Sequence, residues 1–152
     1  MKRGNLAALL HVLSFLIVLG VSMLAEPHLS IPKSVAKPLG LLTFLTGMAV
    51  FIWALAHLKG AFFGDIEPVT DRLVNSGPYR FVRHPLYLGM VVSTLGLVLG
   101  LRSLWGLVGV FLLFVPAVAY RASLEEKALA RTLGREWEDY AAQTSFLFPP
   151  LW

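Results

Sequence analysis

Residues 75–89 read NSGPYRFVRHPLYLG, and an apolar run, MVVSTLGLVLGL, follows at once. Arg83 and His84 can bind anions, while Tyr79 and Tyr87 offer aromatic faces and hydroxyl groups. Further along, Arg121 precedes Glu125 by four residues, and Glu126 stands beside it. Taken one at a time, such residues are more simply lipid-phosphate anchors, an aromatic belt or a solvated ion pair. Together they supply both signs of charge and aromatic faces beside a membrane helix. A ligand with a carboxylate at one end and hydroxyls or an ammonium elsewhere suits that set. A sulfonium suits the tyrosine faces. S-adenosylmethionine carries all of these groups, although charge and geometry alone do not single it out.

His84 and Pro85 open a helix whose unbonded N–H groups and dipole favour an anion. The stretch RASLEEKALARTLGREWEDYAA, 121–142, has the pattern of an amphipathic helix too polar to span a membrane. At 3.6 residues per turn, Leu129, Leu133, Trp137 and Tyr140 share one face, and Lys127, Arg131, Arg135 and Glu138 lie away from it. Glu126 falls inside the apolar arc and Glu125 flanks it. A carboxylate on a packed face needs a partner. The plain alternative is an Arg121–Glu125 ion pair, with Glu126 reaching solvent or a lysine.

The elements that must carry these residues are mostly apolar. The 152 residues are 57% hydrophobic and 14% charged, with a mean hydropathy of +0.71, and an ordinary soluble domain is about 25% charged. Four apolar runs stand out, Leu6–Ala25, Pro38–Leu58, Leu86–Leu101 and Leu104–Tyr120. A span needs roughly 20 residues. The last two runs are short and separated by Arg102 and Ser103 alone, which predicts a tight helical hairpin. The first run exceeds the apolar region of a secretory leader and is read as a retained helix. The expected fold is therefore an all-α integral membrane protein. It has about four transmembrane helices, the third and fourth a hairpin, plus a cytoplasmic amphipathic C-terminal helix. One domain covers 1–152, with two N-terminal spans in 1–59 and the catalytic half in 60–152.

Ten basic residues (Lys2, Arg3, Lys59, Arg72, Arg80, Arg83, Arg121, Lys127, Arg131 and Arg135) fall on the side shared by both termini, against Lys33, Lys37 and Arg102 on the other. The positive-inside rule then puts both termini and both charged clusters in the cytoplasm, at the plasma membrane in a prokaryote. The net charge of +4 needs no nucleic acid to explain it. Cysteine is absent, so thiolate chemistry is excluded, and no spacing of ligands suggests a metal site. The stretch GDIEPVTDRLVNSGPY is expected to be irregular, and Pro116 to kink the fourth helix or free a carbonyl. Gly89, Gly96, Gly100, Gly106 and Gly109 read as helix-packing positions. His11 and His57 lie near helix ends and can reach the interface. The tail SFLFPPLW is expected to fold back as a cap.

The segments GPYRFVRHPLYLG (77–89) and RASLEEKALARTLGREWEDYAAQTSFLFP (121–149), joined by a hairpin, resemble the isoprenylcysteine carboxyl methyltransferase and phospholipid methyltransferase families. The shared pattern is Arg83, His84, Pro85 and Tyr87, then Glu125 and Glu126, then Gly134, Trp137 and Tyr140. The resemblance covers roughly the C-terminal half. It implies an S-adenosylmethionine-dependent membrane enzyme that releases S-adenosylhomocysteine, with a lipid-like substrate entering from the bilayer. It places Tyr79, Arg83, His84, Tyr87, Leu88, Gly89, Glu125 and Glu126 at the cofactor and Arg121 and Glu125 at the chemistry, with no metal. The implied acceptor is the carboxylate of an isoprenylcysteine-like compound, or alternatively a phospholipid amine. With only two N-terminal spans, this is a minimal version. A membrane sterol-type reductase using NADPH is the alternative of another class, against which Leu86 stands where such enzymes carry asparagine. A lipid anchor without catalysis is the remaining alternative.

Overall fold

Small residues decide how the central helices meet. Ala36, Gly40, Gly47 and Ala54 line the buried face of α2 (Lys33–Leu58), and Gly89, Ser93 and Gly96 line that of α3 (Pro85–Leu101). The pairing is antiparallel: Gly40 lies against Gly96 and Gly100, and Gly47 against Gly89 and Ser93. A methyl group added at Gly40, Gly47, Gly89 or Gly96 would overlap backbone atoms of the opposing helix. With lipid outside and no water to expel, close backbone packing of this kind drives helix association in a membrane.

This computed structural model describes residues 3–58 and 73–149. Besides α2 and α3 it holds α1 (Arg3–Leu24), α4 (Leu104–Leu133) and α5 (Arg135–Gln143), with a short 3-10 turn at Gly77–Arg80. Helices α1, α2 and α4 are long and apolar enough to cross a membrane, and α3 is a shorter apolar helix of 17 residues, about 25 Å at 1.5 Å per residue. Leu42, Leu112 and Ile17, all well exposed, belong to faces that lipid would cover. Val18 and Ser22 of α1 pack on Gly109 and Gly106 of α4, so α1 runs antiparallel to α4 and begins at the end where α2 finishes and α3 starts.

The expected hairpin is present. Arg102 takes a left-handed conformation at φ 60°, and the Ser103 hydroxyl caps α4 by accepting from the Gly106 N–H at 2.9 Å. The loop after α1 is tied to this turn, with Leu29 N–H donating to the Arg102 carbonyl at 2.6 Å.

One expectation is corrected. The polar stretch 121–142 is not one helix of its own. The fourth span runs on without a break to Leu133, and Gly134, at φ 54°, ends it before α5. Leu129 and Leu133 therefore belong to a different helix from Trp137 and Tyr140. Thirty residues make about 45 Å, against roughly 30 Å of hydrocarbon, so the charged end of α4 projects beyond the apolar layer. Pro116, expected to kink the helix or free a carbonyl, is preceded by a π turn over Val110–Phe114. Val115 N–H donates to the Val110 carbonyl five residues back. Proline has no N–H to give, and a one-residue slip just before it absorbs the fault.

The stretch expected to be irregular, 64–79, lies outside the described residues as far as Arg72, as do Lys2 and Lys59. Its described end is irregular at 73–76 before the 3-10 turn. The tail does fold back: Ser145 bridges Val82, and Leu147 is buried in the core with Val91 and Val118. Residues 150–152 lie outside the described region.

Candidate active site at the charged end of the bundle

The start of α3 and the projecting end of α4 face one another, which closes a gap of some forty residues in sequence. Arg83 Nε donates to Glu126 Oε1 at 2.6 Å, and a ring nitrogen of His84 stands 3.3 Å from the same oxygen. The other His84 nitrogen is 3.9 Å from Glu125 Oε2. Tyr87 donates its hydroxyl to Glu125 Oε1, and Arg121 Nε donates to the Tyr87 oxygen at 2.7 Å and to Glu125 at 3.2 Å. Two cations, two carboxylates, a histidine and a tyrosine thus form one continuous network. The Arg121–Glu125 pair foreseen as the plain reading is present. Glu126, however, pairs with no lysine, and its side chain is only partly open to solvent. Its partner is Arg83.

The C-terminal segment covers this network. Arg83 Nη1 donates to the Ala141 carbonyl at 2.9 Å and also to the Thr144 carbonyl, while its backbone N–H donates to Ser145 O at 2.8 Å. Phe146 lies edge-on to His84 with centroids 5.2 Å apart and sits under the Arg83 guanidinium at 5.9 Å. Arg83 therefore faces two ways, towards Glu126 and towards the segment that closes over it.

Tyr79 is buried, and its carbonyl accepts from the Tyr140 hydroxyl at 2.7 Å. Burial pushes the Tyr140 phenol up to about 12 and raises that of Tyr79 as well, helped by Tyr140 and Glu125 nearby. Both stay neutral donors around pH 7. Replacing Tyr140 with Phe strands the Tyr79 carbonyl, which costs about 1–3 kcal/mol for an unsatisfied buried group. Thermal unfolding should show a lower midpoint, and an unchanged midpoint would mean that the bond contributes nothing.

Leu88 packs against the hydrophobic core, and its N–H is spent on the His84 carbonyl at 3.0 Å. Gly89 faces Phe51 and Gly47 of α2 rather than the carboxylates. These two residues are therefore apart from the network that gathers Arg83, His84, Tyr87, Arg121, Glu125 and Glu126. Among the described residues no group of three or more histidine, aspartate or glutamate side chains is placed to hold a metal ion.

Sequence reasoning named His11 only as a residue able to reach the interface. It turns inward rather than to the interface, with its ring 5.8 Å from Tyr87, edge-on, and 5.4 Å from Phe114. It also lines a partly open cavity of about 280 Å³ among α1, α2, α3 and the π turn, whose wall includes Phe15, Phe44, Met48, Met90 and Leu97. A histidine in an apolar span is a signal by itself, but its direction was not legible. His57 instead bonds the Trp53 carbonyl at 2.9 Å and packs beside Gly77.

A helical membrane bundle with a charged network at one end and an apolar cavity beside it defines the class of protein. The family profile described as phospholipid methyltransferase matches residues 35–136, which takes in most of both charged clusters. The chain belongs to the phospholipid methyltransferase family. A search of curated proteins finds no match.

Proposed function

We propose that this chain uses S-adenosylmethionine to methylate the headgroup of a lipophilic acceptor, most simply the carboxylate of an isoprenylcysteine-like compound. The observation that carries this reading is the junction at Tyr87. Its hydroxyl belongs to the charged network, and its ring touches His11 at the wall of the apolar cavity. A polar donor and an apolar acceptor can meet only where such surfaces adjoin.

The residues present fit the donor. His84, the start of α3 and Arg83 suit a carboxylate. Glu125 and Glu126 suit hydroxyls or an ammonium. Tyr79 and Tyr87 suit the sulfonium, which supplies an already activated methyl group. Leu88 and Gly89 contribute backbone only. The work left to the protein is alignment and exclusion of water. The C-terminal segment over Arg83 and His84 serves the second. For alignment, Tyr87 and Glu125 fix the Arg121 guanidinium, which orients the acceptor carboxylate. A cavity of about 280 Å³ is at the small end for ligand sites and suits one slender chain better than two acyl chains. The family description favours a second reading, a phospholipid amine acceptor, for which Glu125 would take the proton. The basic-residue bias supports a cytoplasmic site and cytoplasmic termini, at the plasma membrane in a prokaryote.

The test is calorimetric titration of S-adenosylhomocysteine into detergent-purified protein, wild type beside Glu126→Gln. We expect binding by the wild type and at least ~10-fold weaker binding by the variant, the scale of one lost charge-assisted bond. No binding by folded wild type overturns the reading. Transfer of labelled methyl to a farnesyl thioether carboxylate or to phosphatidylethanolamine then decides the acceptor.

A further inference from the structure

An imidazole inside an apolar helix is costly unless something bonds it. On α1 the hydroxyls of Ser14 and Ser22 are satisfied by the carbonyls of His11 and Val18, at 2.8 and 2.6 Å. On the cavity wall, Thr94 donates to Met90 O at 2.8 Å and Ser93 to Phe44 O at 3.4 Å. His11 differs from all four. Its contacts are with rings, those of Tyr87 and Phe114, and neither ring nitrogen has a hydrogen-bond partner among the described residues. The rest of the wall is aromatic, aliphatic or thioether. Among the described wall side chains, the Ser93 and Thr94 hydroxyls have spent their donor hydrogens, whereas the His11 ring N–H has no acceptor, and His11 touches the tyrosine that joins the cavity to Arg121 and Glu125.

We propose that His11 is the acceptor's headgroup contact, donating a ring N–H to the acceptor carboxylate where the apolar cavity meets the Tyr87–Arg121–Glu125 network. The inference rests on the methyl-acceptor reading above and deepens it. A neutral imidazole has one donor nitrogen. Away from water a hydrogen bond to a charged oxygen is strengthened. Arg121, bonded to the Tyr87 hydroxyl, and His11, against the Tyr87 ring, would both grip a carboxylate and leave an oxygen free to react. Methyl transfer to that oxygen forms an O–C bond and breaks an S–C bond, with the electron pair staying on sulfur. No proton is released, so His11 acts as a donor and not as a base. The tail then lies between Phe44, Met48 and Met90. A residue that only filled space between Tyr87 and Phe114 would be served as well by phenylalanine, and more cheaply in a membrane.

That difference sets the experiment. A farnesyl thioether carboxylate and its methyl ester are each titrated into full-length detergent-purified wild type, His11→Phe and His11→Gln, with S-adenosylhomocysteine titrated in parallel. Wild type is expected to prefer the acid. His11→Phe should lose ~10-fold or more of its affinity for the acid, bind the ester as wild type does, and keep its S-adenosylhomocysteine binding. His11→Gln, which can still donate, should recover part of the loss. Acid affinity unchanged in His11→Phe overturns the proposal and leaves His11 as packing. Wild type that binds S-adenosylhomocysteine but shows no preference for acid over ester overturns it while the cofactor reading stands. Wild type that binds neither overturns both.

Discussion

Replacing Arg83 with alanine is expected to detach the C-terminal segment and lose the site with it. One side chain holds Glu126, the Ala141 carbonyl and the Thr144 carbonyl, and its removal strands both carbonyls and leaves Glu126 with His84 alone. Breaking a buried ion pair by removing one partner costs roughly 3–5 kcal/mol. The Arg83 and Glu126 side chains are 13% and 23% exposed, so water relieves part of that and ~3 kcal/mol is the reasonable expectation. Two measurements check it. Limited proteolysis should cut Arg83→Ala near Gly134–Ser145 while the wild type resists. A double-mutant cycle with Glu126→Ala should then show the second change costing far less than it does alone, because the two residues share one interaction. Arg83→Lys keeps the charge but loses the fork that reaches carboxylate and carbonyls together, so it should fall between. A segment as protected in Arg83→Ala as in wild type would sink the account of Arg83 as its anchor.

Gly96→Leu should damage the protein more widely. A Cβ at Gly96 already overlaps the backbone nitrogen of Phe44 and lies 2.7 Å from the Gly40 carbonyl. Those are backbone atoms of α2 and cannot move aside as a side chain can. Ordinary overpacking costs about 1–3 kcal/mol, and here two helices must separate to make room. The cost should exceed that range, with aggregation in detergent and a melting transition lowered by many degrees or lost. Gly100→Leu is the control, since a Cβ there meets only the Gly40 Cα, at 3.9 Å. Similar melting temperatures for Gly96→Leu and wild type would show that the α2–α3 contact is looser than its geometry implies. The site depends on this contact because α2 braces the first turn of α3, where His84 and Tyr87 begin.

Four apolar runs, the two-residue gap at Arg102-Ser103 and the glycine spacing were enough to read a helical membrane bundle with a hairpin, because spans are set by length and hydropathy alone. The Arg83–His84–Pro85–Tyr87 segment and the double glutamate were legible as a pair of motifs, and the lone carboxylate at Glu126 announced that it needed a partner. Sequence periodicity describes one helix at a time, however. It put Leu129 and Trp137 on a common face by running through Gly134, although glycine is the residue that commonly ends a helix and does end α4 here. It offered no reason to choose Arg83 over solvent for Glu126, since the two are brought together only when α3 and α4 pack. The inward turn of His11 was hidden for the same reason: which way a residue on α1 faces depends on where α1 docks, and Gly106 and Gly109 on a distant helix fix that. Local chemistry named the groups, and helix packing chose their partners.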